Sequence, residues 1–89
     1  MAVARLISPF ISYCGAESVS VQADTLGDLC RCLIQRYGAR MNVLLDQDGG
    51  ISQDIVILVD RRNAHSLSGA ATKLKEDTEV LIMPLMAGG

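Results

Sequence analysis

An excess of basic charge is the first thing missing from this 89-residue chain: eight Lys and Arg against ten Asp and Glu leave a formal net charge of −2. The basic stripe that supplies most nucleic-acid affinity is therefore absent. Aromatic side chains are as scarce. Phe10, Tyr13 and Tyr37 are the whole set and there is no Trp, so bases would find no stacking platform. No apolar run reaches the ~18 residues of a membrane-spanning helix, and the N-terminus lacks the basic-then-apolar pattern of a secretory signal. The expectation is a cytoplasmic protein that binds neither nucleic acid nor membrane. Cysteine is few and odd in number, Cys14, Cys30 and Cys32, which does not make a disulfide framework. Cys30 and Cys32 are two apart and on a helix would face different ways. With His65 as the single histidine, four convergent zinc ligands do not assemble. Buried or idle thiols and no metal are expected.

What is present is the balance of a folded domain. Apolar residues make up 49% of the chain and charged ones 20%, enough for one small core with a stability of about 5–10 kcal/mol. Val3 to Ser8 reads as a short strand that stops where Pro9 removes a ladder donor. Pro9 to Ala16 reads as a loop whose Phe10, Ile11 and Tyr13 tuck under the sheet. From Glu17 to Ala23 the chain alternates, with Val19, Val21 and Ala23 on one face and Ser18, Ser20 and Gln22 on the other, the pattern of a half-buried strand. Two strands joined this closely should pair antiparallel.

Asp24-Thr25 is a helix start signal. Leu26, Leu29, Cys30, Leu33, Ile34 and Tyr37 then recur at three- and four-residue steps and make one apolar face. Gly38 ends that helix as a left-handed cap. A bridging stretch with Met41, Val43, Leu44 and Leu45 leads to the polar turn Asp46-Gln47-Asp48-Gly49-Gly50. That turn is not a calcium loop, because Ile51 stands where the loop needs glycine and Ile57 where it needs glutamate. Ile55 to Val59 is a continuous apolar, β-branched run, as in a strand covered on both faces. Asp60 to Asn63 turns the chain, Ala64 to Lys73 reads as irregular or a short edge piece, and Lys75 to Thr78 turns it again. Glu79 to Met83 is the last strand.

One helix cannot cover both faces of a sheet, so the order strand, strand, helix, strand, short element, strand implies a two-layer α+β domain, a mixed sheet packed on one main helix. The right-handed crossover rule sets a later strand parallel to the first. That arrangement is the β-grasp, expected over residues 1–83, with 84–89 as a flexible reactive tail.

The tail demands an explanation of its own. Its last residues are Gly88 and Gly89, and a terminal Gly-Gly arises by chance in only about 0.5% of chains. Before it stand Pro84, apolar Leu85 and Met86, and Ala87. Glycine lets backbone approach another surface closely, so a thin arm ending in a carboxylate suits a narrow channel in which that carboxylate reacts. A carboxylate needs a leaving group before it can donate its acyl carbon. Adenylation by ATP supplies one, and a partner enzyme must hold the nucleotide, because this chain has no Gly-rich phosphate loop.

Residues Ile57 to Gly89 resemble the ubiquitin-like sulfur carriers, the family of the molybdopterin synthase small subunit, the thiamin sulfur carrier and a carrier used in cysteine synthesis. The resemblance runs through Ile57-Leu58-Val59, Asn63, Leu67, Gly69, Thr72, Leu74, Glu79-Val80 and Ala87-Gly88-Gly89. The N-terminal half is similar too, with a strand, an apolar plug, a second strand and a helix opened by Thr25-Leu26. The resemblance implies that an ATP-dependent activating enzyme, supplying ATP and magnesium, adenylates Gly89, and that a sulfur donor then converts it to a thiocarboxylate. It implies that Ala87, Gly88 and Gly89 thread the active site of an acceptor synthase subunit, while Pro84, Leu85 and Met86 dock at its mouth. It implies no bound cofactor and no catalytic residue in this chain. Three places depart from the family pattern: Asp60-Arg61 replaces Asn-Gly, Asp77-Thr78 replaces Gly-Asp, and Met83-Pro84-Leu85 replaces Phe-Pro-Pro. The last loosens the tie to molybdopterin, which leads among the pathways on family frequency alone.

A protein modifier, joined to a target lysine through Gly89, shares the activation chemistry and is the main alternative. Lys73 and Lys75 are the only lysines on which such a chain could build polymers of itself. A stand-alone enzyme is disfavoured, since His65 and Cys14 have no partner at a meaningful spacing. The arginines Arg31, Arg36, Arg40, Arg61 and Arg62 read as a solvated face.

Overall fold

A computed structural model gives the fold and describes residues 1–85. Five strands form one sheet: β1 (Ala2–Leu6), β2 (Ser18–Val21), β3 (Ile55–Val59), β4 (Arg62–Asn63) and β5 (Glu79–Pro84). Their order is β2-β1-β5-β3-β4, with β1 and β5 parallel and every other pair antiparallel. This is the mixed sheet of the β-grasp, with the first and last strands side by side at its centre.

Strand period two sorts the sheet into an inner and an outer face. Ala2, Ala4 and Leu6 of β1, Val19 and Val21 of β2, Ile55, Ile57 and Val59 of β3, and Val80 and Ile82 of β5 are all buried on the inner face. Two α-helices are described, α1 (Phe10–Cys14) and α2 (Leu26–Tyr37). α2 closes the core with Leu26, Leu29, Cys30 and Leu33. Its start is built as the sequence implies: the Thr25 hydroxyl accepts the Asp28 amide at 3.2 Å, and Asp28 accepts from Arg31 at 2.7 Å. Gly27 lets the first turn of α2 lie against the loop at Ala70, where a Cβ would come within 3.1 Å of the Ala70 carbonyl oxygen.

Several local expectations change. The expected loop after β1 contains α1, whose Phe10 is buried in the core. Phe10 and Tyr13 pack edge to face at 6.0 Å. Gly38 has φ 96° and ψ −166°, an extended mirror-image conformation rather than the left-handed cap, and its amide closes α2 by donating to Ile34 O at 2.8 Å. The bridging stretch is a 3₁₀ helix, Ala39–Leu44, that seats Met41 and Leu44. Residues 64–73 hold two 3₁₀ turns, Ala64–Ser66 and Gly69–Ala71, and Lys73 bridges to Thr25. Two of the family departures keep a left-handed backbone without glycine, with φ 49° at Asp60, 74° at Arg61 and 68° at Asp77. Asp60 and Arg61 form the turn of the β3–β4 hairpin, where positive φ at both central residues matches strand twist. Asp60 then clamps β5, donating its amide to Glu79 O at 2.8 Å and accepting the Glu79 amide on Oδ1 at 3.0 Å.

β3 is not covered on both faces. Val56 and Leu58 are only half-buried, because the buried side chains of all the described helical segments go to the single core on the inner face. Pro84, expected to open the tail, is the last residue of β5 and pairs with Ile55.

Candidate functional site: the root of the tail

The ladder of β5 ends at a defined place. Leu85 donates its amide to Asp54 O at 3.0 Å, one step past the Ile55–Pro84 pair. Asp54 donates its own amide to Ser52 Oγ at 3.1 Å, and residues 53–54 turn away. The last rung of this ladder among the described residues is at Leu85. The chain is held in register up to the residue before Met86.

Exposed apolar side chains gather around this point. Among the described residues the exposed large hydrophobics are Met1, Ile7, Val43 and Leu85. Ile7 extends the parallel ladder by donating to Ile82 O at 3.0 Å, so it lies at the end of the sheet where β5 stops. Val43 lines a groove with Pro84 at the same end. Only Met1 lies elsewhere, at the start of β5, where its carbonyl accepts the Asp77 amide.

The outer face of the sheet is polarised along the same direction. Glu79 stands at its far end and pairs at 2.9 Å with Arg5, which lies one row nearer the tail beside Leu81; both are well exposed, and the pair contributes little to stability in water. From β2, exposed Ser20 lies in the Glu79 row and exposed Ser18 in the Arg5 row. Toward the tail the register aligns Leu81 with Leu58 and Met83 with Val56, all half-buried. With Ile7 and Leu85 they make one apolar patch that leads to the tail. On a small domain such a patch marks a contact surface.

His65 is exposed, and its amide is held by Asn63 Oδ1 at 2.9 Å. Cys14 is half-buried with its Sγ 3.8 Å from Met41 Sδ, and burial raises its pKa. Burial pushes the Cys30 thiol up to about 12. Cys32 is half-buried. Among the described residues no three His, Cys, Asp or Glu side chains converge as metal ligands, and no helix is long and apolar enough to cross a membrane.

Of the expected site residues, Pro84 is fixed in β5 and Leu85 is exposed at the end of its ladder. Met86, Ala87, Gly88 and Gly89 lie outside the described residues. Ile7, Val43 and the outer-face residues of β3 and β5 were not singled out from sequence. The unbroken apolar run of β3 was their signal, and it marks an outward-facing patch rather than a second buried layer.

Residues 11–89 match the ThiS family. The chain belongs to this family. A candidate sulfur carrier protein of Archaeoglobus fulgidus is 32% identical over 75 residues, covering 84% of this chain and 85% of that one. Small archaeal modifier protein 3 of Haloferax volcanii is 30% identical over 88 residues, covering 96% and 95%. A chain of the Amycolatopsis orientalis BexX/CysO complex shares the fold with a TM-score of 0.89 at 17% identity over the whole of both chains. The protein is thus a ThiS-family member of the ubiquitin-like sulfur-carrier and small-modifier class.

Proposed function

We propose that this ThiS-family chain is a sulfur carrier whose C-terminal Gly89 is the working group. The Gly89 carboxylate attacks the α-phosphorus of ATP in an activating enzyme, releasing pyrophosphate and leaving an acyl adenylate. A sulfide-level sulfur nucleophile then displaces AMP and leaves a thiocarboxylate. The partner supplies ATP, magnesium and the catalytic groups, and this chain supplies the acyl group and the surface by which it is recognised. Ala87, Gly88 and Gly89 thread the partner's active site. Pro84 and Leu85, with Met86, sit at its mouth, and the apolar half of the outer face is what the partner covers. The thiocarboxylate then gives its sulfur to an acceptor in cofactor biosynthesis, with molybdopterin first among the pathways and thiamin or cysteine synthesis as alternatives. The observation that carries this reading is the gathering of Ile7, Val43 and Leu85 around the exit of a chain that ends in Gly-Gly.

A second reading is favoured by the 30% identity to a small archaeal modifier protein: Gly89 would form an isopeptide bond with a target lysine. One experiment separates the two. The purified chain is incubated with its cognate activating enzyme, ATP, magnesium and a sulfide source, and its intact mass is taken. A gain of sulfur for oxygen that disappears when Gly89 is deleted supports the carrier. Unchanged mass with a proven activator defeats it, and higher-mass conjugates in its place support the modifier.

A further inference from the structure

A groove of about 240 Å³ opens at the tail root, lined by Pro9, Phe10, Tyr13, Val43, Asp54, Ile55 and Pro84. Phe10 and Ile55 are buried and give it an apolar floor, while Pro9, Val43 and Asp54 are exposed at its rim. Asp54 is the one charged residue of the lining.

Asp54 is committed through its backbone and not through its carboxylate. Its amide goes to Ser52 Oγ, and its carbonyl takes the Leu85 amide. The ion pairs among the described residues are Met1–Glu76, Arg5–Glu79 and Arg31–Asp28, and Asp54 is in none of them. The basic side chain that comes close is Arg40, which lies over the Tyr13 ring at 5.5 Å from its centre and does not pair with Asp54. The fold therefore holds an unpaired anion at the rim of an apolar, aromatic-lined groove.

That combination selects its occupant. A purely apolar side chain would strip water from the carboxylate and give nothing back. A small cation would leave the apolar floor uncovered. Arginine meets both demands, because its aliphatic stem covers apolar surface while its planar guanidinium takes a carboxylate through two parallel hydrogen bonds and stacks on aromatic rings. Arg40 on Tyr13 shows that ring receiving a guanidinium within the chain itself.

We propose that this groove receives an arginine side chain of the enzyme that activates Gly89, its stem against Phe10 and Val43 and its guanidinium on the Asp54 carboxylate. The partner then grips the root of the tail on two sides, by the apolar patch of the outer face and by this charged groove. The inference rests on the activation step, which the carrier and modifier readings share, and not on what becomes of the acyl adenylate.

The test follows ATP–pyrophosphate exchange by the cognate activating enzyme, with magnesium and no sulfur source, as the concentration of this chain is varied. Asp54→Asn keeps the side-chain shape and the backbone bonds and should raise the KM for the chain about tenfold with kcat unchanged. Asp48→Asn removes the same charge from an exposed turn outside the groove and should shift KM less than about twofold. Arg40→Ala removes a charge of the same sign as the incoming one, so KM should fall or stay level. Equal effects of Asp54→Asn and Asp48→Asn overturn the proposal, because net charge alone then explains them. A rise in KM with Arg40→Ala that matches Asp54→Asn also overturns it, because the groove is then not selecting a cation. Exchange by the parent chain without any later gain of sulfur defeats the carrier reading and leaves this one standing, whereas no exchange with a proven activator defeats both.

Discussion

Leu85 gives its amide to the carbonyl of Asp54 at 3.0 Å, and this hydrogen bond is the last rung of the ladder between β5 and the chain before β3. It persists because Ser52 Oγ holds the Asp54 amide at 3.1 Å and so orients that peptide. The described chain therefore ends on a hydrogen-bonded residue rather than on a frayed strand end.

Removing that orienting hydroxyl should loosen the root. Ser52→Ala strips a buried side chain of its hydrogen bond and should cost about 1 kcal/mol in urea unfolding. Hydrogen exchange at the Leu85 amide should speed up by more than that global loss explains. Unchanged exchange at Leu85 would mean that Ser52 does not anchor the tail.

The apolar half of the outer face should matter to partners and not to folding. Ile7 is 44% exposed, so Ile7→Asp should shift stability by less than about 1 kcal/mol while weakening binding to the cognate activating enzyme about tenfold or more. Ser20→Asp, at the polar end of the same face, should leave binding unchanged. Equal effects from the two substitutions would remove the polarity of the face from the account.

Two turns should respond to glycine in opposite directions. Gly38 occupies a conformation, φ 96° and ψ −166°, that is almost closed to other residues, so Gly38→Ala should cost about 1–3 kcal/mol. Arg61 sits at φ 74° with a side chain that strains it, and Arg61→Gly should stabilise by up to about 1 kcal/mol. Thermal unfolding of both variants reads the two signs.

Acid should test the helix start. The hydrogen bond from Arg31, with a second from Thr25, holds the Asp28 carboxyl below the usual carboxylate range. A depressed folded pKa contributes stability above the unfolded value near 4 and loses it as pH falls through the folded value. Asp28→Asn should therefore flatten the decline of melting temperature below about pH 4, with little difference between the proteins' slopes near pH 7. A variant that declines as steeply as the parent would show that this pair does not contribute to the acid limb.

Thiol chemistry should separate the buried cysteine from the others. With its pKa near 12 and no exposed surface, Cys30 should react with a thiol reagent at pH 8 at least about a thousandfold slower in native protein than in urea. Mass mapping of the modified sites checks this. Native reaction at the rate of a free thiol would mean that α2 opens locally.

Much of the body could be read from residue order because the signals are local. The Thr25 cap, the helical spacing from Leu26 to Tyr37 and the alternation around Val19 and Val21 depend on neighbours a few positions apart. They predict α2, β2 and the burial of their inner faces. Chain handedness set a later strand parallel to the first, and the structure shows that this strand is β5. The α1 turn was hidden because a five-residue helix has too few positions to show a period, and Phe10 reads equally as a loop plug.

The Gly-Gly end and the turn after Val59 are properties of the sequence alone, whereas the short strand Arg62–Asn63 that makes that turn a hairpin, and its left-handed backbone, appear only in the structure. What surrounds the exit of the tail was decided by tertiary structure. Ile7 and Leu85 are far apart along the chain and come to one end of the sheet because β1 and β5 run parallel, and the 3₁₀ helix Ala39–Leu44 brings Val43 to the groove beside Pro84 there. The run Ile55 to Val59 looks the same whether its second face is buried or open to a partner. Only the placement of every described helical segment on one side of the sheet decides that, because burial depends on what packs across a face and not on the residues within it.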